Sequence, residues 1–453
     1  MALQAFFRKL FSKTSVGAAS ILGLMAIGLP LTSSPAPVFA SPPEAFRPDA
    51  SGLLSRVQVM TDSTFAGRGN GTAAALAIAD SVARWFGDAD LVPAGSDNWF
   101  QDFTLSGEDL AGRPARNVIG ILPGRGVLAG RTIIVGAHYD HLGRSAADTA
   151  TGAGPPARGF YFPGANDNAS GVTVMLELAR LESRVRHVEE SVAAADSPLR
   201  SCLFVAFAAE EVGLQGSAYF VNHSPVPFDS IDAMINFDCV GQLQEQRLYI
   251  GGVGTSPVFA PLLLAANRDG LQLELSQGGW SASDHVSFNS REIPVLFLFT
   301  GPYPEYNRPA DDWPTLSVDG MMQVVAFSRR LLAPMLRRRD PFPYVLVAEA
   351  KVESAPPNGQ ERKAWLGTIP DFTEEVTGVK LAGVIDGSPA QRAGLARGDI
   401  LVEFMDRPVA NLAAFTQELR SCEPGQHVNL EVLRDGRRLQ YIVILADRRD
   451  RER

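Results

Sequence analysis

The hydrophobic pattern changes period several times along this chain. Continuous apolar runs at residues 117–122, 131–137, 201–208, 233–237 and 293–299 predict buried strands. Between and after them, residues 169–186, 256–267 and 318–336 carry helical periodicity. Ser256-Pro257 reads as a helix start, a capping hydroxyl followed by proline at the first helical position. This alternation predicts an α/β domain built on a central sheet. N-terminal to it, residues 41–115 read as helical and turn-rich, with an amphipathic helix at 73–86. The glycine cluster Gly67-Arg68-Gly69-Asn70-Gly71 follows no clear strand, so it reads as a turn or cap and not as a phosphate loop. Residues 187–200 are polar and alanine-rich, an exposed elaboration between helix and strand.

The pattern shifts again after Leu336. Arg337-Arg338-Arg339-Asp340-Pro341 and Ala355-Pro356-Pro357-Asn358-Gly359 bracket a linker at 341–359. Residues 360–446 then read as a compact β-rich unit. Ser388 caps a short helix, Pro389 starts it and Gly394 ends it. Asp399 turns into a strand at 400–404, and Asn411 caps an amphipathic helix carrying Leu412, Phe415 and Leu419. Strands at 428–433 and 438–445 form a hairpin around Asp435-Gly436.

Composition narrows the partners. The N-terminus carries Arg8, Lys9 and Lys13, a mostly apolar stretch at 16–31, and Val38-Phe39-Ala40 with small residues where a signal peptidase reads. Residues 1–40 therefore read as an export signal cleaved after Ala40, giving a periplasmic or secreted protein with no stable membrane anchor. Removing its three basic residues takes the formal charge from -9 to -12, which disfavours nucleic acid and anionic membranes. Cys202, Cys239 and Cys422 cannot pair completely, and the first two lie in predicted core strands, so no disulfide framework is implied. Residues 41–340 make the first domain, and 447–453 a charged tail.

Chemistry gathers at the strand ends. Glu210-Glu211 follows the apolar run from Cys202 to Ala209. Two carboxylates there are costly unless a cation neutralises part of their charge. His138 and Asp140 close the strand ending near Ala137, with Asp140 placed to hold the second nitrogen of a histidine ligand. Asp167 sits in the turn Gly164-Ala165-Asn166-Asp167-Asn168-Ala169-Ser170-Gly171, Asp238 ends the run at 233–237, and His285 belongs to Ser283-Asp284-His285. Imidazole and carboxylate at the carboxyl ends of strands in one sheet suit zinc, with cobalt or manganese as substitutes. Five candidate ligands exceed one zinc and fit two if a carboxylate bridges them.

The ordered strings GAHYDHLG, GANDNASG, AAEEVGLQGS, NFD and SDH resemble the di-zinc aminopeptidase family, which includes bacterial secreted aminopeptidases, aminopeptidase Y, glutamate carboxypeptidase and glutaminyl cyclase. Phe65-Ala66-Gly67-Arg68 and Asn117-Val118-Ile119-Gly120 extend the resemblance, which spans about 60–335. It implies a mixed central sheet flanked by helices, of the zinc exopeptidase type. It implies two zinc ions per chain: His138 and Asp238 on one, Glu211 and His285 on the other, and Asp167 bridging through a cis bond to Asn168. Glu210 would be the general base and Asp140 would orient His138. In Tyr306-Asn307-Arg308-Pro309-Ala310-Asp311-Asp312, asparagine stands where the family pattern carries histidine. That departure reads as leaving the ligands intact and bearing on substrate positioning.

Residues 360–446 resemble a PDZ domain of exported bacterial proteases, which implies a peptide C-terminus docking beside Leu366-Gly367. The whole reads as a metallo-aminopeptidase acting on peptides. A glutaminyl cyclase-like aminoacyltransferase and a non-catalytic peptide-binding protein are the alternatives; pyroglutamate formation from an N-terminal Gln peptide separates the first, and metal content the second.

Overall fold

A computed structural model describes residues 47–106, 110–144, 160–191, 197–279, 283–347, 364–370, 376–385, 387–409, 414–415, 418–419 and 421–447. The expected export signal, the expected linker beyond Val347, most of the expected charged tail and the expected Asn411 cap lie outside the described residues. Among the described residues no helix is long and apolar enough to cross a membrane.

In chain order the first domain contains α1 (Ala50–Met60), α2 (Ala73–Asp88), β1 (Val92–Pro93), β2 (Phe100–Thr104), β3 (Pro114–Leu122), β4 (Thr132–His138), α3 (Gly171–Ser191), β5 (Ser201–Phe207), α4 (Gln215–Asn222), β6 (Ile231–Phe237), β7 (Arg247–Gly251), α5 (Phe259–Ala266), β8 (Gln272–Leu275), α6 (His285–Asn289), β9 (Val295–Phe299) and α7 (Val318–Arg337). Its strands form one sheet in the order β1-β3-β5-β4-β6-β9-β7-β8, with β2 on β3. The centre, β5-β4-β6-β9, is parallel, while β3 joins β5 and β7 joins β9 antiparallel. The sheet is therefore mixed, with helices on both faces.

The strand runs are apolar at every position because both faces are covered. Ile133, Val135 and Ala137 pack with α1, α2, α3 and α7 on one side. Their neighbour Ile134 points the other way, into Phe207, Phe220 of α4 and Phe288 of α6. Burial on two faces fixes the register, and with it which residue leaves each strand end.

One helix start differs from the sequence reading. α5 begins at Phe259 with Val258 as its N-cap and no side-chain cap bond. Ser256 instead closes the short turn Val253–Thr255 in extended conformation, and its carbonyl accepts from Phe259 N–H at 3.2 Å. The backbone has turned before the helix begins, so the hydroxyl cannot reach the orphan amides.

The second unit contains β10 (Ala364–Trp365), β11 (Thr368–Pro370), β12 (Val379–Val384), α8 (Pro389–Ala393), β13 (Ile400–Phe404), β14 (Arg407–Pro408), β15 (His427–Arg434), β16 (Arg437–Ile444) and β17 (Ala446–Asp447). Leu381, Leu401, Phe404, Phe415, Leu430 and Val432 lie in its core. Ser388 Oγ accepts from Gln391 N–H at 3.1 Å, and Gly394 ends α8 at φ 91°. Gly367 sits at φ 83°, and a Cβ there would fall 2.2 Å from that of Ser388. Gly367→Ala is expected to destabilise this unit by on the order of 1–3 kcal/mol. A denaturation midpoint equal to that of the wild type would contradict it.

Candidate metal centre

The site lies beyond the carboxyl ends of β4, β5 and β6. β4 delivers His138 as its last residue, and Tyr139 N–H donates to Phe207 O at 2.9 Å, extending the pairing one step past the strand. Asp140 follows, fully buried, and ties two strand ends together. Its Oδ1 accepts from Glu210 N–H at 3.1 Å; its Oδ2 accepts from Glu211 N–H at 3.2 Å and from Asn70 Nδ2 at 2.7 Å. Asp140 thus shapes the turn that carries both glutamates, beyond its expected contact with His138, whose Nδ1 lies 3.7 Å from Oδ1 and 3.3 Å from the Asp140 carbonyl.

Asp167 leaves a turn braced from outside. The Asp167-Asn168 bond is cis. Asn168 Nδ2 donates to Phe237 O at 2.9 Å, and its Oδ1 accepts from Gly171 and Cys239 amides at 3.0 and 3.2 Å. Asp311 accepts from the amides of Asn166 and Asp167 at 2.8 and 3.1 Å and from the Tyr303 hydroxyl at 3.2 Å. Asp238 is oriented through Ser283, which donates to its Oδ2 at 2.7 Å and accepts from Asn236 Nδ2 at 2.8 Å. These braces use the residues around each motif, which the sequence reading left without roles.

Among the described residues two groups bring three donor atoms each within 4.8 Å of one another: His138, Asp167 and Asp238, and His141, Asp167 and Glu211. Asp167 belongs to both. In the first group His138 Nε2 lies 3.4 Å from Asp167 Oδ1 and 3.4 Å from Asp238 Oδ1. That is long for a hydrogen bond. It matches the ~3.4 Å between neighbouring ligand atoms of a tetrahedral zinc with ~2.0–2.1 Å bonds. The His138 Nδ1 proton has acceptors on Asp140, which leaves the Nε2 lone pair facing two carboxylates. That face is repulsive unless the ring takes up a second proton or a cation lies between, so the donor set fits a metal ion.

The electrostatics agree. Burial, and next the charge of Glu211, push the Asp167 carboxyl up to about 6. Burial also lifts Glu210 well above the usual carboxylate range, with Glu211, Asp238 and Asp284 adding to it and His138 opposing it. Burial disfavours charge on His138, yet Asp238 and Glu210 outweigh it and hold the ring's pKa well above its ordinary value. A divalent cation at the shared position relieves all three strains at once.

His285, expected as a ligand, falls outside both groups. It opens α6, is fully buried, and its ring stacks on Phe297 with centroids 4.6 Å apart and planes 16° from parallel. His141 stands beside Glu211 in its stead, with Nδ1 2.7 Å from Glu211 Oε1. The sequence carried His141 in the string after His138, but past the strand end period two no longer tells which way a side chain points. Glu210, by contrast, belongs to neither group and is only partly buried, so its carboxylate remains outside the ligand sets.

Residues 117–331, which include all of these strand-end residues, match the model of Peptidase family M28, and residues 361–445 match the PDZ domain model. Aminopeptidase YwaD of Bacillus subtilis is 31% identical over 235 residues, covering 49% of this chain and 45% of that protein. Leupeptin-inactivating enzyme 1 of Streptomyces exfoliatus is 27% identical over 305 residues, covering 66% of this chain and 60% of that protein. The chain therefore spans roughly half the length of these curated relatives. The crystal structure of BSAP, a zinc aminopeptidase from Bacillus subtilis, superposes with a TM-score of 0.50 at 18% identity, covering 65% of this chain and 97% of that one, a likeness of fold. On these matches, residues 117–331 form a Peptidase family M28 domain and residues 361–445 a PDZ domain that follows it.

Proposed function

We propose that this chain is an exported zinc-dependent exopeptidase that removes N-terminal residues from peptides, with Glu210 as general base. The observation that carries the reading is a glutamate, Glu210, that stays outside two groups able to hold metal ions and sharing Asp167, on the same turn as Glu211. His138, Asp167 and Asp238 would hold one zinc ion, and Asp167 and Glu211 the carboxylate side of a second. When bound, a zinc pair lowers the pKa of water and polarises a carbonyl. Glu210 then accepts the proton of the attacking water and returns it to the leaving amine. Asp140 positions Glu210 by accepting its amide proton at 3.1 Å, so base and ligand are held on one rigid turn. The PDZ unit would bind peptide C-termini at Leu366-Gly367, whose carbonyls accept from Ala390 and Ile385 amides at 2.9 and 2.8 Å and fix the loop.

Purified protein is expected to hold zinc near two per chain and to hydrolyse aminoacyl anilides. Chelation should abolish the activity and zinc should restore it. Zinc-loaded protein that leaves both anilides and free peptides uncleaved would overturn the reading.

A further inference from the structure

We propose that His141, through Nδ1, is the imidazole ligand of the second metal position, beside Glu211 and the shared Asp167. This rests on the two-ion reading and adds the residue that decides which metal the second position takes. Nδ1 lies 2.7 Å from Glu211 Oε1 and 4.0 Å from Asp167 Oδ2, and the three donors fall within 4.8 Å of one another.

The ring is held in place from several sides. It is 1% exposed, and its backbone N–H donates to Arg68 O at 3.3 Å. Gly164, at φ 60°, lies against it so closely that a Cβ would fall 2.5 Å from its Cδ2. The buried Nε2 has no hydrogen-bond partner among the described residues. Without a cation, Nδ1 carries the proton that Glu211 Oε1 accepts at 2.7 Å; the unpartnered Nε2 can take that proton instead, which frees the Nδ1 lone pair for a metal ion.

The chemistry of the donor set gives this consequence. Asp167 and Glu211 alone would make the second position all-oxygen, the kind of site that suits magnesium, calcium or manganese. One imidazole added to them repeats the composition of the first group, His138 with Asp167 and Asp238, and shifts the preference to zinc. His285, stacked on Phe297 and outside both groups, does not supply it.

The competing role is a hydrogen bond that only orients Glu211. Asn distinguishes the two, because its amide Nδ2–H can occupy the place of histidine Nδ1–H and keep that bond while being a poor zinc ligand. Metal-free full-length protein is titrated with Zn2+ calorimetrically and with Co2+ by visible absorption, with circular dichroism checking the fold. The wild type should take two equivalents. His141→Asn and His141→Ala should each keep the first and weaken the second by more than ~100-fold, beyond the ~10–100-fold of a lost outer partner. Two equivalents at near wild-type affinity in His141→Asn would make His141 a positioning residue and overturn the proposal alone. A wild type that takes fewer than two would overturn the two-ion reading and this assignment with it.

Discussion

Glu210→Gln is expected to keep the fold and the full zinc content while lowering turnover by ~10²–10⁴-fold. The substitution is isosteric, and the contact that positions residue 210 is made by its backbone amide to Asp140 Oδ1, which the change does not touch. The lost group is the carboxylate, which neither metal group uses. Glu211→Gln is the control that gives the test its meaning. Glu211 Oε1 meets His141 Nδ1 and lies in the second group with Asp167, so its loss should lower metal affinity as well as rate. The measurement is kcat on an aminoacyl anilide beside zinc content and a melting curve for each variant. A fully active Glu210→Gln protein would sink the assignment of the base. An inactive variant that had also lost zinc would move Glu210 into the ligand shell.

What could be read from the sequence follows from where burial is complete. β4, β5, β6 and β9 are apolar on both faces, so they stand out as runs, and the residue leaving each run is fixed by the strand. That made His138, Asp140, Glu210, Glu211 and Asp238 visible as a set before any coordinates. β7, with alternating buried and half-buried positions, and the largely exposed β8 carry a weaker signal, and α4 and α6 are too short to show a period. The histidine beside Glu211 was hidden for a related reason. Both His141 and His285 lie outside strands, and spacing along the chain could not tell which ring turns toward Glu211. Asp311 was equally hidden: it braces the Asp167 turn from 144 residues away, through backbone amides that leave no mark in the sequence.

Arg68→Met should be the most damaging single change to stability outside the ligand set. Arg68 is fully buried, yet its guanidinium meets no carboxylate at salt-bridge distance among the described residues. It donates instead to four backbone carbonyls: Nε to Tyr139 at 2.7 Å, Nη1 to Met60 at 2.8 Å and Pro163 at 2.5 Å, and Nη2 to Gly164 at 2.8 Å. Those carbonyls end α1, flank His138 and Asp140, and precede the Asp167 turn, so one side chain pins three segments of the site. Burial lowers its pKa to about 10, opposed by Asp311, Asp167, Asp140 and Glu211, and it stays charged at neutral pH. Methionine keeps most of the volume and leaves four buried acceptors unmet, at roughly 1 kcal/mol or more each, so the loss should reach about 4 kcal/mol. Removing the cation has a second effect of opposite sign, since a more negative pocket attracts zinc more strongly. The two separate experimentally: chemical denaturation of the metal-free protein reads the lost hydrogen bonds together with the lost cation among the carboxylates, and zinc titration reads the gain in metal affinity. Lysine at this position restores the charge but has a single point of donation, so Arg68→Lys should recover little of the stability. A metal-free Arg68→Met protein as stable as the wild type would show that the four carbonyls find other donors and that the arginine is not what assembles the site.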